Sequence, residues 1–126
     1  MKIRKVSHGF GAIVSDFDIA DVGDKKLRQK IHSIFLAYHV VCFRGAFASP
    51  PEFVAFSRAF GVPKVQLLAD YHLDGYPEIS IISNYNKIGG SVPHVRATYW
   101  HTDDSYLPHP AKATLLCGQE LPASGG

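Results

Sequence analysis

The spacing of apolar residues predicts a first helix after residue 24. Asp24 is a residue type that caps helix N-termini, because its side-chain oxygen can accept a bond from a free backbone N–H. The apolar residues that follow recur every three or four positions, which places them on one helix face. They are Leu27, Ile31, Ile34, Phe35 and Tyr38. This stretch is therefore predicted to be a helix with one face in a core.

A second helix is predicted from residue 49 to residue 60. Ser49 suits the N-cap, Pro50 suits the first helical position, and Glu52 completes a capping box. An aromatic stripe at helical spacing follows, formed by Phe53, Phe56 and Phe60, and Gly61 is expected to end the helix. We expect these rings to belong to a hydrophobic core.

Short apolar runs rich in β-forming residues predict the strands. They lie at residues 40–43, 79–83, 100–106 and 113–118, with a short strand and a turn in 10–20. Residues 62–77 and 84–99 are predicted to be loops, because glycines, prolines and asparagines interrupt them. Helices early and strands late predict an α+β fold that is mainly β.

Composition excludes several classes of protein. The chain has 126 residues, 46% hydrophobic and 19% charged, enough for one domain with a core. A net charge of +2 without a basic cluster argues against nucleic-acid binding. No apolar run reaches the ~18 residues of a membrane span, and no signal peptide is evident. We therefore expect a cytoplasmic protein in which Cys42 and Cys117 are small buried apolar residues.

The most informative motif is His101-Thr102-Asp103. Side chains two positions apart on a strand point to the same side, so His101 and Asp103 would lie together while Asp104 would face away. One imidazole and one carboxylate make up two-thirds of the 2-His-1-carboxylate triad that holds Fe(II). A third ligand within the chain is an open alternative that would make a self-contained metal-binding protein, and the candidates are His72, His94 and His109.

Several runs together resemble the taurine catabolism dioxygenase (TauD/TfdA) family of Fe(II)- and 2-oxoglutarate-dependent dioxygenases. They are YHVVCFRG at 38–45, FG at 60–61, ISN at 82–84, WHTDDSY at 100–106, ATLL at 113–116 and ELPASGG at 120–126. The resemblance implies an incomplete double-stranded β-helix, or jelly roll, with two N-terminal helices. The resemblance also implies that His101 and Asp103 are iron ligands, that Fe(II) is the cofactor, and that 2-oxoglutarate and O₂ are the co-substrates.

The same resemblance implies that part of the machinery lies beyond residue 126. Family members carry the second histidine ligand, and an arginine for the co-substrate, far downstream of the His-x-Asp pair. Residues 1–126 are therefore expected to be the N-terminal portion of a single dioxygenase domain, truncated before the distal iron ligand and inactive alone. No residue of this chain is assigned to 2-oxoglutarate. Full-length relatives often self-associate, so the resemblance also makes a homo-oligomer a possible state of the full-length form.

The expected substrate is a small, anionic organic acid. Family members that act on taurine place an asparagine shortly before the metal-binding histidine, and residues 95–99 contain none. Asn84, at a predicted strand end, and Arg96, in the predicted loop, are the candidate substrate-binding residues. A non-catalytic binding domain that keeps the scaffold is a further alternative.

Overall fold

The computed structural model describes residues 1–7, 9–46, 48–85, 91, 93, 99–121 and 123–124. The chain divides into two compact units. Unit 1 comprises Met1–Gly61 and Leu115–Gly126, and unit 2 comprises Val62–Thr114. The predicted iron ligands His101 and Asp103 both fall in unit 2.

Unit 1 contains a three-stranded sheet in the order β1-β2-β3. The strands are β1 (Lys2–Lys5), β2 (Ala12–Ser15) and β3 (Val41–Phe43). Strand β1 runs antiparallel to β2, and a bond of 3.0 Å from the Val6 N–H to the Gly11 carbonyl closes the connection. Strand β3 runs parallel to β2, which requires a long crossover connection between them.

That crossover contains a short 3-10 helix (Ile19–Gly23) and helix α1 (Lys25–Tyr38). The predicted cap is confirmed, because the Lys26 N–H donates to Asp24 Oδ1 at 2.7 Å. Two residues of the predicted stripe, Ile31 and Ile34, are buried. The local sequence signals of this helix therefore agree with its tertiary environment.

Helix α2 (Pro50–Ser57) begins at the predicted capping box. The Ser49 N–H and the Ser49 hydroxyl donate to Glu52 Oε2 at 2.8 and 2.5 Å. These hydrogen bonds hold the pKa of Glu52 below its usual range. The bond from the Ser49 hydroxyl has the larger effect, and the bond from the Ser49 backbone N–H has the smaller one. The helix ends at Ser57, four residues before Gly61, so the predicted end was too late.

The core of unit 1 is centred on an aromatic cluster. The Phe56 ring lies 5.0 Å from the Phe43 ring, 5.8 Å from Phe17 and 5.6 Å from Phe60, measured between centroids. Distances and tilts of this kind are favourable for aromatic pairs beyond the area they bury. Ile31 and Val14 are the largest fully buried side chains among the described residues. The prediction that the phenylalanines of α2 serve a core is confirmed.

The predicted burial of both cysteines was wrong for Cys42. Cys42 is exposed, whereas Cys117 is half-buried, and both are free thiols. In β3 the neighbours Val41 and Phe43 are partly buried. Because side chains alternate across a strand, Cys42 between them faces solvent.

Unit 2 contains a hairpin where a loop was predicted. A 3-10 turn (Ala69–Tyr71) leads into β4 (His72–Leu73), and β5 (Tyr76–Ser80) pairs with it in antiparallel fashion. Asp74 and Gly75 connect the two strands, with Gly75 at a φ of 75°. Asp-Gly is a strong two-residue hairpin signal, so the sequence contained evidence that the prediction did not use. The predicted strand at 79–83 lies three residues too late.

Two predicted strands are absent from the described residues. Residues 103–106 form a turn, and residues 113–118 have no ladder partner. A strand needs a neighbour that takes its backbone N–H and C=O groups, and no described strand lies beside either segment. Strands and helices both occur, as predicted, but strands do not predominate in the described part of the chain. Within those residues no helix is long and apolar enough to cross a membrane.

Candidate metal centre

His101 and Asp103 lie side by side just where the chain enters the 103–106 turn. His101 Nε2 is 3.5 Å from Asp103 Oδ1. The two side chains are 54% and 53% exposed, so both can be reached from solvent. The strand used to predict this juxtaposition is absent, and irregular backbone brings the two groups together instead.

The backbone of residue 99 sets the tautomer of His101. His101 Nδ1 lies 2.9 Å from the Tyr99 carbonyl oxygen. A carbonyl oxygen can only accept, so we assign the ring proton to Nδ1. In the neutral imidazole, Nε2 then carries a lone pair on the side that faces Asp103. Metal-binding histidines commonly donate their other ring N–H in this way.

A hydroxyl group orients the carboxylate of Asp103. The Thr114 hydroxyl donates to Asp103 Oδ2 at 2.8 Å. The other oxygen, Oδ1, is the one nearest to His101. The carboxylate thus has one oxygen held by the protein and one directed at the imidazole, as expected of a ligand with an outer-shell partner.

The neighbouring carboxylate is already engaged by a cation. Lys64 Nζ lies 2.7 Å from Asp104 Oδ1, and the Asp104 side chain is only 16% exposed. Asp103, rather than Asp104, is therefore the carboxylate available to a metal ion. No local sequence pattern pointed to Lys64 or Thr114, because they lie 40 and 11 residues from the aspartates they contact.

The pair fits an iron ion of the predicted type. Two ligand atoms at right angles, each about 2.1 Å from an ion, lie about 3 Å apart. The observed distance of 3.5 Å between His101 Nε2 and Asp103 Oδ1 is close to that spacing. One imidazole nitrogen and one carboxylate oxygen are also the donor types of the non-haem Fe(II) triad.

The other candidate residues are not brought to this pair by any described contact. His72 Nε2 is 2.8 Å from the Gln66 carbonyl oxygen, His109 is exposed, and Asn84 is exposed in a bend after β5. His94 and Arg96 lie outside the described residues. Within the described part of the chain no three His, Cys, Asp or Glu residues gather to hold a metal.

The solved structures that this chain resembles include two proteins from Burkholderia xenovorans. A putative alpha-ketoglutarate-dependent taurine dioxygenase matches 86% of this chain and 38% of its own, with a TM-score of 0.69 and 27% identity. A taurine dioxygenase matches 68% of this chain and 32% of its own, with a TM-score of 0.57 and 27% identity.

Two curated proteins are similar to this chain in sequence. The (S)-phenoxypropionate/alpha-ketoglutarate-dioxygenase of Sphingobium herbicidovorans is 23% identical over 93% of this chain and 40% of its own length. The alkylsulfatase of Acinetobacter baylyi is 28% identical over 100% of this chain and 38% of its own length. The chain thus spans about two-fifths of the length of these relatives.

The family profile described as "Taurine catabolism dioxygenase TauD, TfdA family" matches residues 2–126. The match covers both units, including the segment with His101 and Asp103. It agrees with the family suggested by the sequence motifs. This chain belongs to the TauD/TfdA family of dioxygenases.

Proposed function

We propose that this chain provides two iron ligands, His101 and Asp103, of an Fe(II)- and 2-oxoglutarate-dependent dioxygenase. The observation that carries the proposal is the 3.5 Å approach of His101 Nε2 to Asp103 Oδ1 in a member of this family. Each group has a separate protein partner on its far side, so both are held for a common ligand.

The protein groups have distinct roles in this proposal. The Tyr99 carbonyl keeps the proton on His101 Nδ1, which leaves Nε2 free to donate its lone pair. The Thr114 hydroxyl restrains Asp103 so that Oδ1 faces the same point. Bound Fe(II) would supply the oxygen activation that couples 2-oxoglutarate decarboxylation to substrate oxidation. The third ligand is not among the residues described.

The proposed substrate is a small organic molecule with an anionic acid group. The relatives are named for phenoxypropionate, an alkyl sulfate and taurine, which carry a carboxylate, a sulfate ester and a sulfonate. A negative group is the chemistry these three names share. Asn84 and Arg96 remain the proposed contacts on this chain, since an amide and a guanidinium can both donate to such a group.

Three broader expectations stay proposals. They are a jelly-roll fold in the complete enzyme, self-association of that enzyme, and a cytoplasmic location. Likeness to the Burkholderia structures supports the fold expectation. Two free cysteines are consistent with a reducing compartment.

Metal titration tests the proposal directly. Trp100 is the only tryptophan, is fully exposed and adjoins His101, so a paramagnetic ion bound there should quench its fluorescence. We expect Co(II), as an oxygen-stable substitute for Fe(II), to quench Trp100. His101→Ala or Asp103→Ala should each weaken Co(II) binding at least about tenfold. Loss of a residue that only hydrogen-bonds to a metal ligand already has an effect of that size, and these two residues are the proposed ligands themselves.

The matched controls are substitutions of the other histidines. His94→Ala and His109→Ala should leave Co(II) affinity unchanged. Tight binding that survives loss of both His101 and Asp103 would refute the proposed site. Binding that instead requires His72, His94 or His109 would establish the self-contained metal-binding alternative.

Activity gives a second test. Because the described residues bring only two of three ligands together, we expect residues 1–126 alone to form no succinate from 2-oxoglutarate in the presence of Fe(II) and small organic acids. Succinate formation coupled to oxidation of such a substrate by this polypeptide would contradict that expectation.

A further inference from the structure

We propose that Lys64 is a positioning residue for the metal centre and acts through Asp104. This inference rests on the proposed function, because it takes Asp103 as a metal ligand. It goes beyond that function by assigning a role to a lysine that contacts neither proposed ligand.

The Lys64–Asp104 ion pair differs from an ordinary surface pair. Its 2.7 Å contact joins side chains that are 42% and 16% exposed. The Lys2–Asp16 pair in unit 1 is equally short, at 2.8 Å, but its side chains are 82% and 56% exposed. A less solvated pair is screened less by water and salt, so Lys64 should restrain Asp104 more strongly than Lys2 restrains Asp16.

Asp104 needs such a restraint because of its backbone. Its φ is 56°, in the left-handed region that residues other than glycine adopt at a cost. The Leu107 N–H donates to the Asp104 carbonyl at 2.9 Å, which closes the turn. The conformation of Asp104 therefore sets the direction in which the chain leaves Asp103. Holding the Asp104 side chain holds that turn.

Lys64 is itself attached to the hairpin of unit 2 through Gln66. The Gln66 N–H donates to the Pro77 carbonyl at 3.0 Å, and the Gln66 carbonyl oxygen lies 2.8 Å from His72 Nε2. The Gln66 side-chain amide reaches the carbonyls of Lys64 and Glu78, both at 3.4 Å. These contacts connect strands β4 and β5 to the backbone of Lys64, whose ammonium group holds Asp104.

Lys64 also separates the roles of two adjacent carboxylates. Its ammonium neutralises Asp104, while Asp103 is left with the Thr114 hydroxyl and the open side toward His101. Without Lys64, the turn would lose its restraint, and a second free carboxylate would lie beside the ligand. Both changes would disturb the geometry of the His101–Asp103 pair.

The test is the Co(II) affinity of Lys64→Met in the full chain, measured by Trp100 quenching and by broadening of backbone NMR signals of residues 99–104. NMR detects weak binding as well as tight binding. We expect affinity to fall about tenfold, the lower end of outer-shell effects. Lys64→Arg, which keeps the charge, should restore most of it. Lys2→Met, the matched loss of the exposed ion pair, should change nothing.

A double variant tests whether Lys64 acts through the backbone of Asp104. Glycine adopts a φ of 56° without steric cost, so Lys64→Met combined with Asp104→Gly should recover most of the affinity. This variant also keeps the turn if Lys64→Met alone destabilises unit 2. Failure to recover would overturn the role assigned to Asp104.

The outcomes separate this inference from the function beneath it. If His101→Ala and Asp103→Ala weaken Co(II) binding but Lys64→Met behaves like Lys2→Met, only the role of Lys64 is refuted. If the unsubstituted chain shows no response at residues 99–104, or His101→Ala changes nothing, the proposed function fails and this inference fails with it.

Discussion

Unit 1 buries side chains, whereas no described side chain of unit 2 is fully buried. Unit 1 packs Phe56 among three other aromatic rings. Unit 2 relies on polar contacts between groups that keep part of their surface in solvent, such as Lys64 with Asp104 and Thr114 with Asp103. Regions with few buried apolar contacts open locally at low free-energy cost. The candidate metal centre therefore lies in the less strongly stabilised unit, and its geometry depends on individual hydrogen bonds.

The first prediction concerns the core of unit 1 and has the largest expected effect. Phe56→Ala should lower the free energy of unfolding by about 3–5 kcal/mol, because it removes a buried ring and leaves a cavity. Urea denaturation followed by circular dichroism measures the change. Leu36→Ala, on an exposed position of α1, is the control and should cost far less. Equal losses would show that unit 1 has no specific core.

The second prediction concerns the hydroxyl that orients Asp103. Thr114→Val keeps the side-chain shape but removes the donor to Asp103 Oδ2, so Co(II) affinity should fall about tenfold. Thr114→Ser keeps the hydroxyl and should retain most of the affinity. Unfolding curves should barely move, since Thr114 is exposed. A large stability loss with unchanged affinity would assign Thr114 to packing instead.

The third prediction tests a strained residue in unit 1. His39 has a φ of 63° and a ψ of −41°, and the Val40 N–H donates to the Tyr38 carbonyl at 2.7 Å around it. This is the rare, strained form of a γ-turn. His39→Gly should stabilise the protein by about 1 kcal/mol, as measured by urea denaturation.

The control for His39→Gly is a glycine substitution two residues earlier in the chain, inside the helix. Ala37→Gly lies in α1 and should destabilise the protein, because glycine disfavours helical backbone. If both substitutions destabilise, the backbone at His39 is not strained.

The fourth prediction, with the smallest effect, uses the capping box of α2. The pKa of Glu52 is lowered by hydrogen bonds from Ser49, so its stabilising contribution is present above the usual carboxyl pKa. The contribution is lost as pH falls through the lowered value. Glu52→Gln should therefore be less stable than the unsubstituted protein at neutral pH, and the two should converge in acid. A pH-independent difference in urea midpoint would contradict this.

Sequence reasoning succeeded where the signal and its partner were close together in the chain. Asp24 and Ser49 were identified as caps because a cap bonds to residues within one helical turn. At 115–117 the burial of side chains alternates as it would in the predicted strand: Leu115 and Cys117 pack against the core of unit 1, while Leu116 is exposed. The ladder predicted there did not follow, because a ladder depends on a distant partner.

The candidate centre shows the same division. The residue types and the spacing of His101 and Asp103 suggested the chemistry, although the reason given, a shared strand, was wrong for the described structure. The groups that orient the pair, Tyr99, Thr114 and Lys64, act through contacts that no local pattern encodes.

The amino-acid sequence by itself determined the two helices, their caps, the apolar stripes and the family, since each depends on residue type and short-range spacing. The tertiary structure alone decided that Lys64 holds Asp104, that Thr114 holds Asp103, and that Cys42 faces solvent. Those facts depend on which distant segments come into contact. The free energy of a long-range contact depends on the whole fold, and no single stretch of the chain encodes it.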